Sequence, residues 1–544
     1  MHKIMEVEKA LSVIKDGDTV AVGGMGGNGV PEELLLAVEK RFLDTGHPAN
    51  LTLYAPGAPG DARGKGLDHF AHKGFIKKII STYIGPLAPR LAQMMAREEI
   101  ESYIFPLGAL VQLYRELGAG RPGLITHVGL GTFVDPRIEG PGQNSISKDN
   151  LIEVIQLQGK DWLFYKEIPI QVALLRGTTA DEQGNVSMEK EIGFFDMLQA
   201  AQAVRRYRGK VIVQVERVTT AKTLKPKEVK IPGVMVDAVV IARPENHMQT
   251  LKVQYNPAYS GEIRIPTATL ASHVSDYGRM GHVSRAQKAE FTLSRIDTRR
   301  IIGKRASLEM FPEAVVNLGV GAPELVSDVV MREGISNRIH FTIEHGPIGG
   351  IPAYGLNFGA ALNPDVIMEV PALLDFYNGG GIDIACLGLI EADQWGNVNA
   401  SKFGESRTAG GFIDISQNAK KVIFCTTFTQ GAEINIEAGK VRVLKDGSPK
   451  FVSAARQITF NGKNASDKGQ PVLFVTERAV FKLGSEGLVL VEIAPGISLE
   501  QDVLQKMGFR PIISPDLKEM PAVIFSDSPV VGLKEAFDLN CKGN

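Results

Sequence analysis

Short apolar runs alternate with amphipathic stretches along most of the 544 residues, the rhythm of a parallel sheet with helices on both faces. The first run, Thr19 to Val22, is entered through Lys15-Asp16-Gly17-Asp18 and leaves into a loop holding Gly23, Gly24, Gly26, Gly27 and Gly29. Pro31, Glu32 and Glu33 then fill the first turn of a predicted helix, where a preset φ and negative charge are both favourable. Further strands are predicted at Asn50 to Tyr54, Ile76 to Gly85, Ile100 to Pro106, Ile168 to Leu175 and Lys210 to Val218, with helices over 88–100 and 107–117. Gly129 to Ser145 is too rich in Gly and Pro for regular structure and reads as a long loop.

From Arg243 to about Arg300 the apolar runs thin out, and 243–293 reads as a connecting segment, with a new helix near Ser294. The plan of the first half then returns. Phe311 to Gly334 repeats the strand, glycine loop and helix, now with Gly319 and Gly321 in the loop. Arg338 to Gly350 parallels Asn50 to Gly60, and Gly396-Asn397-Val398 parallels Gly184-Asn185-Val186. Pro31 and Pro323 are 292 positions apart and Gly184 and Gly396 are 212 apart, so the first half holds about 80 additional residues between these landmarks. That period is far too long for a solenoid. The fold class expected is α/β: two tandem homologous open domains with mostly parallel sheets, 1–242 and 294–544.

Composition narrows the class without naming a function. An apolar share of 44% and a charged share of 22% fit a globular enzyme, and a net charge of −1 gives no reason to expect nucleic acid or an acidic membrane as partner. Cys386, Cys425 and Cys541 lack the spacing of a metal or redox site, and Cys386 and Cys425 lie in strand-like core runs. The N-terminal stretch is an acid-bearing amphipathic helix rather than a secretory signal, and no apolar run reaches the ~18–20 residues of a membrane span. The expected location is the cytoplasm.

Chemistry concentrates after the strand Ile339 to Ile343, where Glu344 meets the turn-forming residues Gly346, Gly349, Gly350 and Pro352. The matching stretch of the first half, Ala55-Pro56-Gly57, carries no acid, so Glu344 is either a solvated turn residue or a one-sided catalytic group. Ligand sites favour the crevice beyond strand C-termini and the space between domains, which favours the second reading. Gly24 to Gly29 also matches the dinucleotide fingerprint, but the next strand lacks an acid for a ribose. Asp181, Glu391 and Asp393 precede Gly-Asn-Val turns in both halves and are read as turn formers.

The motifs Asp16 to Pro31, Val128 to Gly140, Glu344 to Gly359, Tyr377 to Leu389 and Gly410 to Phe424 together resemble the family I coenzyme A transferases, over nearly the whole chain. They are most similar to the single-chain branch containing propionate and acetate CoA-transferases. Two departures stand out: Met25 where Phe is usual, and Ile343-Glu344-His345-Gly346 where 3-oxoacid transferases have Ser-Glu-Asn-Gly.

The resemblance implies a CoA-transferase/NagB-like fold and a homo-oligomer acting on acyl-CoA and small carboxylic acids such as acetate, propionate or butyrate. Glu344 would be the nucleophile, passing through a mixed anhydride and a glutamyl-CoA thioester. Gly410, Gly411 and Gly346 would be candidates to hold the oxyanion or CoA. Gly26 and Gly29 would lie in a substrate loop, Gly319 and Gly321 would either wall the site or only pack helix on strand, and the Arg137–Glu139 loop would border the substrate carboxylate. No metal or bound cofactor is implied, since CoA is itself a substrate. His345 is expected to pack or hydrogen-bond rather than act as acid or base. The same nucleophile would also serve a 3-oxoacid transferase or an acyl-CoA hydrolase. A ligand-sensing module on this scaffold would not need Glu344 at all.

Overall fold

The computed structural model describes residues 3–266, 297–527, 529–530 and 533–539. In the first domain β1 (Thr19–Val22), β2 (Leu51–Ala55), β3 (Ile76–Ser81), β4 (Glu101–Ile104), β5 (Val172–Arg176), β6 (Lys210–Val215) and β7 (Ala238–Ile241) form one sheet in the order β7-β6-β5-β1-β2-β3-β4. Every pairing in it is parallel. All residues of β2 and β5 are buried, which is why these strands read as continuous apolar runs rather than alternating ones.

The second domain repeats this plan. Its central strands are β8 (Val315–Leu318), β9 (His340–Thr342), β12 (Ile384–Leu387), β13 (Lys421–Cys425) and β14 (Val472–Val475), running in the order β9-β8-β12-β13-β14. That is the order β2-β1-β5-β6-β7 again, all parallel. The two sheets differ at their edges. Beyond β9 lie the short antiparallel strands β10 (Pro347–Ile348) and β11 (Val366–Ile367), where the first domain has β3 and β4. Cys386 and Cys425 are buried in β12 and β13.

Some predicted elements end sooner than their apolar runs. Pro169 has no N–H to give a ladder, and β5 begins only at Val172. The run from Ile76 to Gly85 splits: β3 stops at Ser81, and Tyr83–Ile84 turns away to pair antiparallel with Ser406–Thr408 of the other domain. The first half's extra residues include a separate antiparallel sheet of Gly123–Thr126, Ile152–Leu157 and Lys160–Lys166 that no strand assignment anticipated.

The long loop 129–145 joins the domains. Gly129 N–H donates to Gln417 Oε1 at 2.9 Å, Phe133 N–H to Ile458 O at 2.7 Å, and Gly131 O accepts from Asn461 at 2.9 Å. The described part of the connecting segment, 243–266, is a packed strap rather than a free tether. Ala258 and Tyr259 are buried, and Thr250 bonds Asn357 at 2.7 Å. Residues 267–293 of that segment, the predicted helix start at Ser294 and Cys541 lie outside the described residues. Among the described residues no helix is long and apolar enough to cross a membrane.

Candidate active site

Glu344 stands two residues beyond the end of β9, on a turn that points into the seam between the domains. Gly346 N–H closes the turn on Ile343 O at 2.9 Å, and Ile343 N–H bonds Pro347 O at 3.0 Å. Gly346 has φ +131°, and a Cβ there would meet Met368 O at 2.6 Å, so only glycine allows the bend. From the first domain, Gly193 packs so closely that a Cβ would lie 2.4 Å from His345 O.

In the same domain, the turn Ala409-Gly410-Gly411 faces Glu344 and starts the helix Phe412–Asn418. The Gly411 N–H lies beside the Glu344 carboxylate and favours its ionised form, and a Cβ on Gly411 would stand 2.0 Å from Glu344 Oε2. Protein surrounds this carboxylate although part of its surface still meets solvent. Burial pushes its pKa up to about 7; the nearby Asp414 charge adds to the rise and the Gly411 N–H opposes it. An ordinary glutamate, at about 4.3, would be ionised throughout the physiological range. In this setting ionisation of Glu344 falls near neutrality, and the carboxylate, once formed, is more basic than usual.

The other glycine candidates divide by their hydrogen bonds. Gly410 N–H is taken by Thr82 O at 3.0 Å, so Gly410 shapes the turn, with φ +50°, while Gly411 presents the donor. Gly346 N–H is likewise spent inside its own turn. Gly26 N–H bonds Gly57 O at 2.9 Å, and Gly29 makes room for the Phe195 ring, 2.4 Å from where a Cβ would be. The loop amides of Met25 and Asn28 also bond within the loop, and Glu33 N–H bonds Gln214 at 2.9 Å. Within the fingerprint loop the amides of Met25, Gly26 and Asn28 are thus taken by the protein itself. Gly319 N–H pairs with Cys386 O at 2.8 Å, whereas a Cβ on Gly321 would meet no atom within 4 Å.

His345 is 2% exposed and packs edge-on against Phe358 at 5.3 Å. Burial lowers its pKa to about 3, with the Met25 carbonyl pulling the other way, so the ring is neutral at working pH. The acid limb of kcat/KM should therefore report Glu344: activity rises with pH to a midpoint near 7 and levels off above it. The pH–rate profile of His345→Gln should keep that midpoint. A midpoint that follows His345 would contradict the assignment.

Arg137 is held by Asp135 at 2.7 Å and Asp161 at 2.5 Å, while Glu139 accepts from Gln457 at 2.8 Å; both are committed to the loop and seam. Asp181 and Asp393 each take two turn amides, at 2.9 to 3.1 Å, as turn formers do; Glu391 does not, since its carboxylate pairs with Arg456 and Asn399. Sequence reasoning missed three seam residues. Asn28 reaches Phe358 O at 2.8 Å, Thr82 O anchors the Gly410 turn, and Asp414 lies behind Glu344. Asn28 and Asp414 lie inside the motifs Asp16 to Pro31 and Gly410 to Phe424, whereas Thr82 lies in none of them.

A family profile described as coenzyme A transferase matches residues 4–242. The chain is 42% identical over 535 residues to the caffeate CoA-transferase of Acetobacterium woodii, covering 97% of this chain and 98% of that one. It is 37% identical over 530 residues to the acetate CoA-transferase YdiF of Escherichia coli (strain K12), covering 96% and 95%. The crystal structure of the acyl-CoA transferase YdiF apoenzyme from Escherichia coli O157:H7 superimposes with a TM-score of 0.88 at 36% identity, covering 97% of each chain. A thioester complex of that enzyme with CoA gives a TM-score of 0.87.

Proposed function

This chain belongs to the coenzyme A transferase family, and from that premise we propose that it exchanges CoA between a short-chain acyl-CoA and a free carboxylic acid through Glu344. The acids proposed are acetate, propionate, butyrate or close analogues. The observation that carries the reading is a half-buried carboxylate at the domain seam with one backbone N–H already on it.

Glu344 attacks the acyl-CoA carbonyl, the C–S bond breaks, and the products are a mixed anhydride and CoA thiolate. The thiolate then attacks the glutamyl carbonyl, releasing the first acid as its carboxylate and leaving a glutamyl-CoA thioester. The second acid reverses both steps. Each thioester broken is replaced by another before product leaves, so the overall exchange needs no ATP and moves no electrons. Whenever the glutamyl carbonyl is attacked, negative charge develops on a Glu344 oxygen, where the Gly411 N–H lies. The YdiF enzyme solved as a thioester complex with CoA supports this route.

Isotope exchange distinguishes transfer from hydrolysis. With acetyl-CoA and labelled propionate, label should enter the acyl-CoA pool at least ~10²-fold faster than free thiol appears, as expected where a positioned acid outcompetes water. Thiol release at the rate of label entry would make the enzyme a hydrolase instead.

A further inference from the structure

One buried carboxylate beside the nucleophile has no part in the steps above. Asp414 lies in the first turn of the helix Phe412–Asn418, three residues after Gly411, and is fully buried. Its Oδ2 accepts the Gly108 N–H at 3.0 Å from the opposite domain, at the start of the helix Leu107–Gly118. The same helix end gives the Leu107 N–H to Gly410 O at 2.8 Å. Thr82 O receives the Ala409 N–H at 2.7 Å and the Gly410 N–H at 3.0 Å. The turn that carries Gly411 is thus tied to the first domain on both sides, and Asp414 is its only side-chain tie among these bonds. A Cβ on Gly108 would stand 2.0 Å from Asp414 Oδ1, so glycine is what lets the carboxylate seat against the helix end, where negative charge is favoured.

Among the described residues, no cation is resolved as acting on Asp414. Gly108 N–H and the Asn378 side chain act on Asp414, and Tyr165 and Glu344 feel its charge; no lysine, arginine or histidine is among the groups acting on it. Oδ1 has no hydrogen-bond partner among the described residues, although Asn378 lies alongside.

We propose that Asp414 is a positioning residue for the transfer reaction, anchored across the seam so that it fixes the Gly411 donor and sets a second negative charge behind Glu344. A like charge in a dry site disfavours ionisation of its neighbour, and a more basic carboxylate is a better nucleophile. Burial pushes Asp414 itself up to about 7, so it ionises in the same pH range as Glu344. The inference rests on Glu344 being the nucleophile.

Asp414→Asn keeps an acceptor for the Gly108 N–H and removes the charge; Asp414→Leu removes both. The Asn variant should move the acid limb of kcat/KM down by roughly 0.5–1 pH unit with KM little changed. The Leu variant should lose ~10-fold or more in kcat beyond the Asn variant as Gly411 loses its anchor. A merely structural Asp414 would alter thermal stability and leave the midpoint in place. An unmoved midpoint in the Asn variant, with CoA still loading onto Glu344 at the wild-type rate, overturns the proposal. Absence of CoA on Glu344 in the unaltered enzyme would instead overturn the reading of Glu344. If the Asn variant does not fold, reciprocity supplies the test: Glu344→Gln must lower the titration midpoint of Asp414, followed by infrared spectroscopy of ¹³C-aspartate-labelled enzyme. An unchanged Asp414 titration there would also overturn the proposal.

Discussion

Glu344→Gln is expected to lower kcat by at least ~10⁴-fold while acyl-CoA still binds, because an amide cannot form the anhydride or the thioester. The same substitution should make the protein more stable above neutral pH, which distinguishes lost chemistry from lost folding. Glu344 has a folded-state pKa of about 7 against an ordinary 4.5, so the folded chain holds the proton more tightly than the unfolded one. Below pH 4.5 the carboxyl is protonated in both states and costs nothing; the cost grows between 4.5 and 7 and is complete above. Thermal unfolding should therefore show Glu344→Gln gaining over the wild type at pH 8 and matching it near pH 4. A variant that is both inactive and less stable at pH 8 would mean that Glu344 supports the fold.

Gly411→Ala is expected to cost ~10²–10³ in kcat, a large effect for one methyl group. Gly411 has φ −84° and ψ 2°, a conformation alanine adopts, so the backbone itself resists nothing. The added Cβ would stand 2.0 Å from Glu344 Oε2 and 3.1 Å from its Cδ. Either the carboxylate leaves its place or the turn opens and withdraws its N–H, and both misalign the reacting carbonyl. Steady-state kinetics should show the loss mainly in kcat, with thermal unfolding little changed. Wild-type kcat would mean that the Gly411 N–H is not the donor for the glutamyl oxyanion.

The repeat was legible in the sequence because its strands are buried on both faces. Val172–Arg176 and Lys421–Cys425 stand out as apolar runs whatever surrounds them. The turn acids Asp181 and Asp393 were legible for a local reason, since the amides they accept lie two and four residues away. The hairpin Ile152–Leu157 and Lys160–Lys166 passed unnoticed because its residues are mostly half-buried or exposed, so polar and apolar types mix along it.

Glu344 could be singled out by comparing the two halves, but its basicity could not, since that comes from burial and from Asp414 in another element. Gly410 and Gly411 look alike in sequence. They are told apart by Thr82 O, which takes the N–H of the first and leaves the second to Glu344. Asp414 gains its place from Gly108, 306 positions earlier, a distance over which local sequence patterns carry no information.

The most direct measurement is to incubate the enzyme with acyl-CoA alone, digest it, and locate bound CoA by mass spectrometry. The mass of CoA should appear on the peptide bearing Glu344, disappear when a carboxylic acid is added, and be absent in Glu344→Gln. CoA found on another residue, such as Cys386 or Cys425, or turnover that survives Glu344→Gln, would contradict the account.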